Sequence, residues 1–222
     1  MGNSARYAVG LSMVLLLAAC GKDKGETKVD FGYAYYPLEV GKVIDYRVDS
    51  IVYNEFTQSV DSFSFLLREA CIETFTDLEG RTAYRFERSV QKDDTSEFIF
   101  RTSFYVVTDG VRTEKVENNQ REVVLVYPPI NGEDWDAKAF SAAERVDYEF
   151  EAVHQAIDLG TFRFDSALRV IQLNDTDNFI TKRFAEERYA KNVGLVEKRY
   201  YHIETQFEVD SGLYWIQTVV GI

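Results

Sequence analysis

From residue 44 onward the chain alternates apolar and polar side chains with a period of two, segment after segment. Ile44, Tyr46 and Val48 interleave with Asp45, Arg47 and Asp49. Phe63, Phe65 and Leu67 continue the pattern, and Tyr84, Phe86, Arg88 and Val90 oppose Arg85, Glu87 and Ser89. Successive side chains of a strand point to opposite faces, so each segment builds a strand with one dry face. Further strands are expected at residues 112–116, 122–126, 146–153, 162–173, 179–189, 194–206 and 212–219. Asp109-Gly110, Asn118-Asn119 and Asp210-Ser211-Gly212 supply turn chemistry that tolerates positive φ. Strands joined by short turns make an antiparallel meander the default topology. The expected fold is all-β, a single domain with a strongly curved antiparallel meander sheet, half-barrel or barrel-like, with one or two short helices. Residues 137–145 (AKAFSAAER) are the best helical candidate; residues 179–191 also contain helix formers but read as strand.

Aromatic residues make up 14% of the chain, and they concentrate on the dry faces. The longest aromatic alternation is Phe98, Phe100, Thr102, Phe104 and Val106. Such a face must be covered by a second layer, by closure into a barrel, or by a ligand. Tyr84, Phe86, Phe98, Phe100 and Phe104 are therefore the candidate ligand-lining residues. The plainer reading is that the aromatics pack against one another.

The first residues carry an address. Arg6 supplies a positive start, residues 8–17 are apolar, and Leu17-Ala18-Ala19-Cys20-Gly21 follows. That run resembles the lipobox of bacterial lipoproteins, in which the cysteine takes up diacylglycerol. Its apolar stretch has the length of a secretory signal and is shorter than the about 20 residues of a spanning helix. The expected organisation is a signal peptide at 1–19, lipidated Cys20 with a flexible tether at 20–30, and a single β domain at 31–222. Acyl chains on Cys20 would anchor the protein to a bilayer; no other cofactor is implied. Lys22-Asp23 resembles the charged export signals of some Bacteroidota surface lipoproteins, although Lys24 interrupts the acidic run. The expected location is the bacterial cell envelope, at the outer membrane, on its periplasmic face or the cell surface.

A formal charge of -12 argues against nucleic acid as a partner, since a polyanion needs a basic patch. With Cys20 committed to lipid, Cys71 stands alone, so neither an intramolecular disulfide nor a cysteine-based metal site is expected. Its apolar neighbours Ala70 and Ile72 mark it as a buried small residue.

Three phrases, Tyr36-Pro37-Leu38-Glu39-Val40-Gly41, Tyr127-Pro128-Pro129-Ile130-Asn131-Gly132-Glu133-Asp134-Trp135 and Tyr189-Ala190-Lys191-Asn192-Val193-Gly194-Leu195-Val196, resemble an uncharacterised Bacteroidota lipoprotein family. The last is also similar to turns entering strands in curved-sheet envelope lipoproteins. The resemblance implies a structural role and carries no chemistry.

Catalytic constellations are not evident. His154 and His202 lack the further ligands a zinc site needs, and no G-x-S-x-G elbow supports a triad. Residues 174–178 (NDTDN) read as an Asx turn and not as a calcium loop, because Phe179 and Ile180 fall where oxygen ligand and glycine belong. Glu133, Asp134 and Asp136 flank Trp135 as a possible cation or sugar contact, and a glycosidase-type carboxylate pair stays open. The leading expectation is a non-enzymatic lipoprotein that binds an apolar or amphipathic ligand on an aromatic concave face. The alternative is a structural or assembly role engaging an envelope protein, and the third is an envelope hydrolase.

Overall fold

The computed structural model describes residues 30–222 apart from Asp94. The signal segment, Cys20 and most of the tether therefore lie outside the described residues. Phe31–Ile222 forms one compact unit. Its strands are β1 (Val43–Asn54), β2 (Ser59–Thr76), β3 (Thr82–Gln91), β4 (Ile99–Thr108), β5 (Arg112–Glu117) and β6 (Gln120–Val126). They are followed by β7 (Asp134–Asp136), β8 (Asp147–Asp158), β9 (Arg163–Asp175), β10 (Thr181–Ala190), β11 (Gly194–Gln206) and β12 (Val209–Gly221). All twelve form one sheet in the order β6-β5-β4-β3-β2-β1-β12-β11-β10-β9-β8-β7. Consecutive strands are thus side by side except β6 and β7, which are the two edges, and β1 pairs antiparallel with β12.

The two edges of this sheet meet. Val123 N–H of β6 donates to Ala137 O, just past β7, at 2.9 Å. The indole Nε1 of Trp135 donates to Val123 O, also at 2.9 Å. The meander is therefore a nearly closed barrel, which removes the exposed edges an open sheet would present.

Register keeps one face inward around the ring. Tyr46 pairs with Val219 and Leu67, Glu69 with Arg88, and Phe86 with Phe104. Lys115 pairs with Glu122, Trp135 with Tyr148, Val170 with Glu187, and Lys198 with both Glu187 and Gln217. Two buried apolar clusters fill one end. One gathers Tyr35, Leu125, Trp135, Phe150, Leu168 and Tyr189; the other gathers Tyr46, Val48, Leu67, Val196 and Val219. A 3₁₀ turn, Tyr33–Tyr35, plugs that end. Tyr35 is fully buried, and its hydroxyl meets His154 Nδ1 at 2.8 Å and Ser166 Oγ at 2.9 Å. Asn192 N–H donates to Ala34 O at 2.7 Å, and Tyr36 lies 5.8 Å from Tyr189, ring to ring. The three phrases singled out in the sequence thus converge on this plug.

The outward face carries ion pairs across the strands. Arg68 binds Asp45 at 2.7 Å, Arg85 binds Glu73 at 2.7 Å, and Arg188 binds Glu197 at 2.9 Å. Arg169 binds both Glu186 and Glu151. A membrane-spanning barrel presents an apolar band there; these strands present cross-strand ion pairs.

Two local expectations are corrected. Residues 137–145 form turns and not a helix, because Asp136 Oδ1 accepts from Lys138 N–H at 2.9 Å and Val146 N–H at 3.2 Å and draws the segment into a loop. Among the described residues the 3₁₀ turn is the one helical element. The final hairpin turns at Phe207-Glu208, not at Asp210-Ser211-Gly212, and Gly212 sits within β12. A Cβ at Gly212 would lie 1.9 Å from His202 O, so glycine serves a close strand approach there.

Candidate functional site

Above the dry end, the inner face turns polar. Glu69 on β2 and Glu117 on β5 both hold Arg88 of β3 at 2.7 Å, and Lys115 binds Glu117 at 2.8 Å. Glu122 on β6 takes Lys138 at 3.5 Å and the hydroxyl of Tyr148. Across the barrel, Glu187 on β10 binds Lys198 of β11 at 2.7 Å and accepts from the Tyr189 hydroxyl. These side chains form a belt of four carboxylates and four cations that neutralise one another.

The belt sets its own protonation. Burial alone would push the Glu187 carboxyl up, but the Lys198 ammonium and the Tyr189 hydroxyl outweigh it and hold the carboxyl down at about 2. Burial would lower the Lys198 ammonium, and Glu187 reverses this and raises it. Burial, reinforced by the surrounding carboxylates, pushes the Tyr36, Tyr46 and Tyr189 hydroxyls well above their usual range. Lys198 nevertheless keeps 34% of its side-chain surface accessible, so the belt is the floor of an open space rather than part of a sealed core.

Beyond that floor β1, β2, β10, β11 and β12 run on as a sheet whose residues, Ser50, Ala185 and Glu186 apart, are half-buried or exposed. Along β2 the inner face passes from buried Leu67 through half-buried Phe65 to exposed Phe63. Val52 on β1, Tyr200 on β11 and Leu213 and Trp215 on β12 are half-buried beside them. Ser50 pairs with both Phe63 and Trp215, which joins the wall laterally, and Phe65 meets Trp215 edge-on at 5.6 Å. A cavity of about 240 Å³ opens between Tyr200, His202, Glu204 and Leu213. The arrangement is an aromatic wall standing on a charged floor.

The five residues proposed from alternation are split between two faces. Tyr84, Phe86 and Phe104 lie on the inner face at belt level. Phe104 is 4% exposed, stacks on Phe86 at 5.1 Å, and is flanked by Arg88 and Lys115. The cavity beside Phe86, lined also by Tyr36, Tyr46 and Glu69, measures about 30 Å³, room for about one water. A bulge between Arg88 and Ser89 pairs Phe100 with Ser89, which turns Phe100 outward. Phe98 lies under the guanidinium of Arg68, on the outside as well. Phe63, Tyr200, Leu213 and Trp215 were not singled out. The one available signal was Arg88, a charge on an otherwise apolar face.

Other candidates have structural occupations. His154 is exposed with its Nδ1 on the Tyr35 hydroxyl, and exposed His202 lines the cavity on the wall. Asn178 Oδ1 accepts from Ile180 and Thr181 N–H in an Asx turn. Asp134 pairs with Arg145, and Trp135 closes the seam. Cys71 is buried, and burial raises its thiol. Among the described residues, no group of three or more His, Cys, Asp or Glu converges as a metal site would require. An open groove of about 710 Å³ runs along Tyr105, Asn119, Gln120 and Phe140. Its cations Arg121 and Lys138 are already held by Glu79 and Glu122.

No family model matches the sequence, and no curated protein matches it. Among solved structures, the fold is similar to a Bacteroides fragilis protein described as having a YMCC-like fold and thought to be exported. The TM-score is 0.43 at 8% identity, covering 83% of this chain and 98% of that one. A likeness of that depth concerns strand architecture and transfers neither location nor activity.

Proposed function

We propose that this chain is a lipid-anchored, non-enzymatic protein of the bacterial cell envelope that binds an apolar or amphipathic molecule on the half-open inner wall. The carrying observation is the change along one face from dry core, through the neutralised belt, to half-buried Phe65, Tyr200 and Trp215 and exposed Phe63. An acyl chain would lie along the wall, and a polar head would meet the hydrogen-bonding floor around Lys198 and Gln217. The anchor rests on the lipobox-like run ending at Cys20. The second reading, an assembly role, is favoured by the self-packing of Phe86 on Phe104, which leaves no room for a ligand at that level.

Mass spectrometry tests both parts in one series. The denatured wild-type chain is expected to carry acyl mass on Cys20. Native spectra of a Cys20→Ser chain recovered from the periplasm are expected to show a bound apolar molecule removable by organic extraction. A clean apo mass would shift the reading to the assembly role; an unlipidated wild type would remove the anchor.

A further inference from the structure

Three hairpins at the open end each carry a phenylalanine on the tip: Phe56 between β1 and β2, Phe207 between β11 and β12, and Phe179 between β9 and β10. They are 90%, 97% and 95% exposed. Their hairpins are neighbours in the sheet. One row of paired residues, Val60, Tyr53, Gly212, Ile203 and Lys182, crosses β2, β1, β12, β11 and β10. Phe56 and Phe179 each stand three residues beyond that row and Phe207 four, so the tips are level to about one residue's rise of ~3.3 Å. Hairpins two strand-widths apart separate the rings by about 10 Å.

The tips are held in this pose. Asn54 Oδ1 accepts from Phe56 N–H at 3.0 Å and Thr57 N–H at 3.2 Å, and Asn178 caps the turn that carries Phe179. Phe207 and Glu208 both have positive φ, 50° and 66°, in a two-residue turn where Asn-Gly is the ordinary choice. A bulky ring kept at such an angle, at the apex of an exposed turn, has no packing role to explain it.

We propose that these three rings form a bilayer-docking edge, inserting into the interface of a membrane with zwitterionic headgroups. Separate, level, pre-positioned aromatic wedges suit a fluid interface, which closes around each ring without requiring one continuous complementary surface. A protein interface depletes charge at its core, whereas Glu55 adjoins Phe56 and Glu208 adjoins Phe207. Headgroups solvate those carboxylates in place. The same acids, with Asp177 and Asp210 nearby and a chain charge of -12, oppose an anionic surface and a second copy of the same edge. This inference stands apart from ligand binding on the inner wall.

Vesicle flotation of residues 21–222, which hold all twelve strands, tests it without the lipid anchor. Phosphatidylcholine/phosphatidylethanolamine vesicles are expected to carry the protein upward. Each of F56S, F179S and F207S should weaken partitioning about tenfold with an unchanged unfolding midpoint. F56W, F179W and F207W should retain binding and add blue-shifted emission, and phosphatidylglycerol should weaken it. Failure to float with neutral vesicles overturns the proposal. So does a triple serine variant that floats like the parent, or a protein partner captured through the three rings by a chain that ignores lipid.

Discussion

Glu187 and Lys198 face each other inside a barrel, 2.7 Å apart, and each makes the other's charge tolerable. Glu187 is held below its unfolded value, so its contribution to stability is complete above about pH 4.5 and fades as pH falls toward about 2. Lys198→Met leaves that carboxylate with the Tyr189 hydroxyl and the more distant ammonium of Lys115. Stranding a buried charge costs about 3–5 kcal/mol; because Lys198 is a third exposed, a loss of about 2–3 kcal/mol is expected at pH 7. At pH 3 the loss should shrink, since protonating Glu187 removes the stranded charge. Urea unfolding at both pH values checks this, and an equal loss at each would show that the pair is not electrostatically coupled. At this scale the sequence was half legible. Arg88 was visible on an apolar face, but its partners Glu69 and Glu117 lie 19 and 29 residues away, beyond any local pattern. Phe98 and Phe100 were misplaced because a single bulge inverts every side chain beyond it.

At the scale of elements, period-two alternation located most strands to within a few residues, because each has one dry face. What alternation could not supply was closure. β7 is three residues long and joins β6 through one backbone bond and one indole. Trp135→Phe deletes the bond to Val123 O and shrinks a buried ring, which together should cost about 2–3 kcal/mol. Amide exchange is expected to accelerate along β6 and β7 while β1 and β12, paired over a long register on the far side, stay protected. Uniform acceleration around the ring would instead mean that the seam is not a separate weak point. The misplaced last turn has a similar origin. Asp210-Ser211-Gly212 has turn composition, but Gly212 is required by the approach of His202 O, and Phe207-Glu208 turns against its local preference.

The whole molecule is graded from end to end. A plug built from Tyr35 and Tyr36 seals the dry end, a neutralised belt forms the floor, and an aromatic wall rises from it to a rim tipped with phenylalanine. Composition foretold the aromatic face and register decided which part stays open, because only the long strands outrun the belt. Trp215 stands on that wall, whereas Trp135 is buried at the seam, so the protein carries its own reporter. The most direct test of the account is a tryptophan-fluorescence titration of residues 21–222 with lysophosphatidylcholine below its micelle concentration. A saturable change is expected that vanishes in Trp215→Phe and weakens at least tenfold in Phe63→Asp, which places a charge on the wall. An unchanged spectrum throughout the titration, or a change that survives in both variants, would contradict binding on this face.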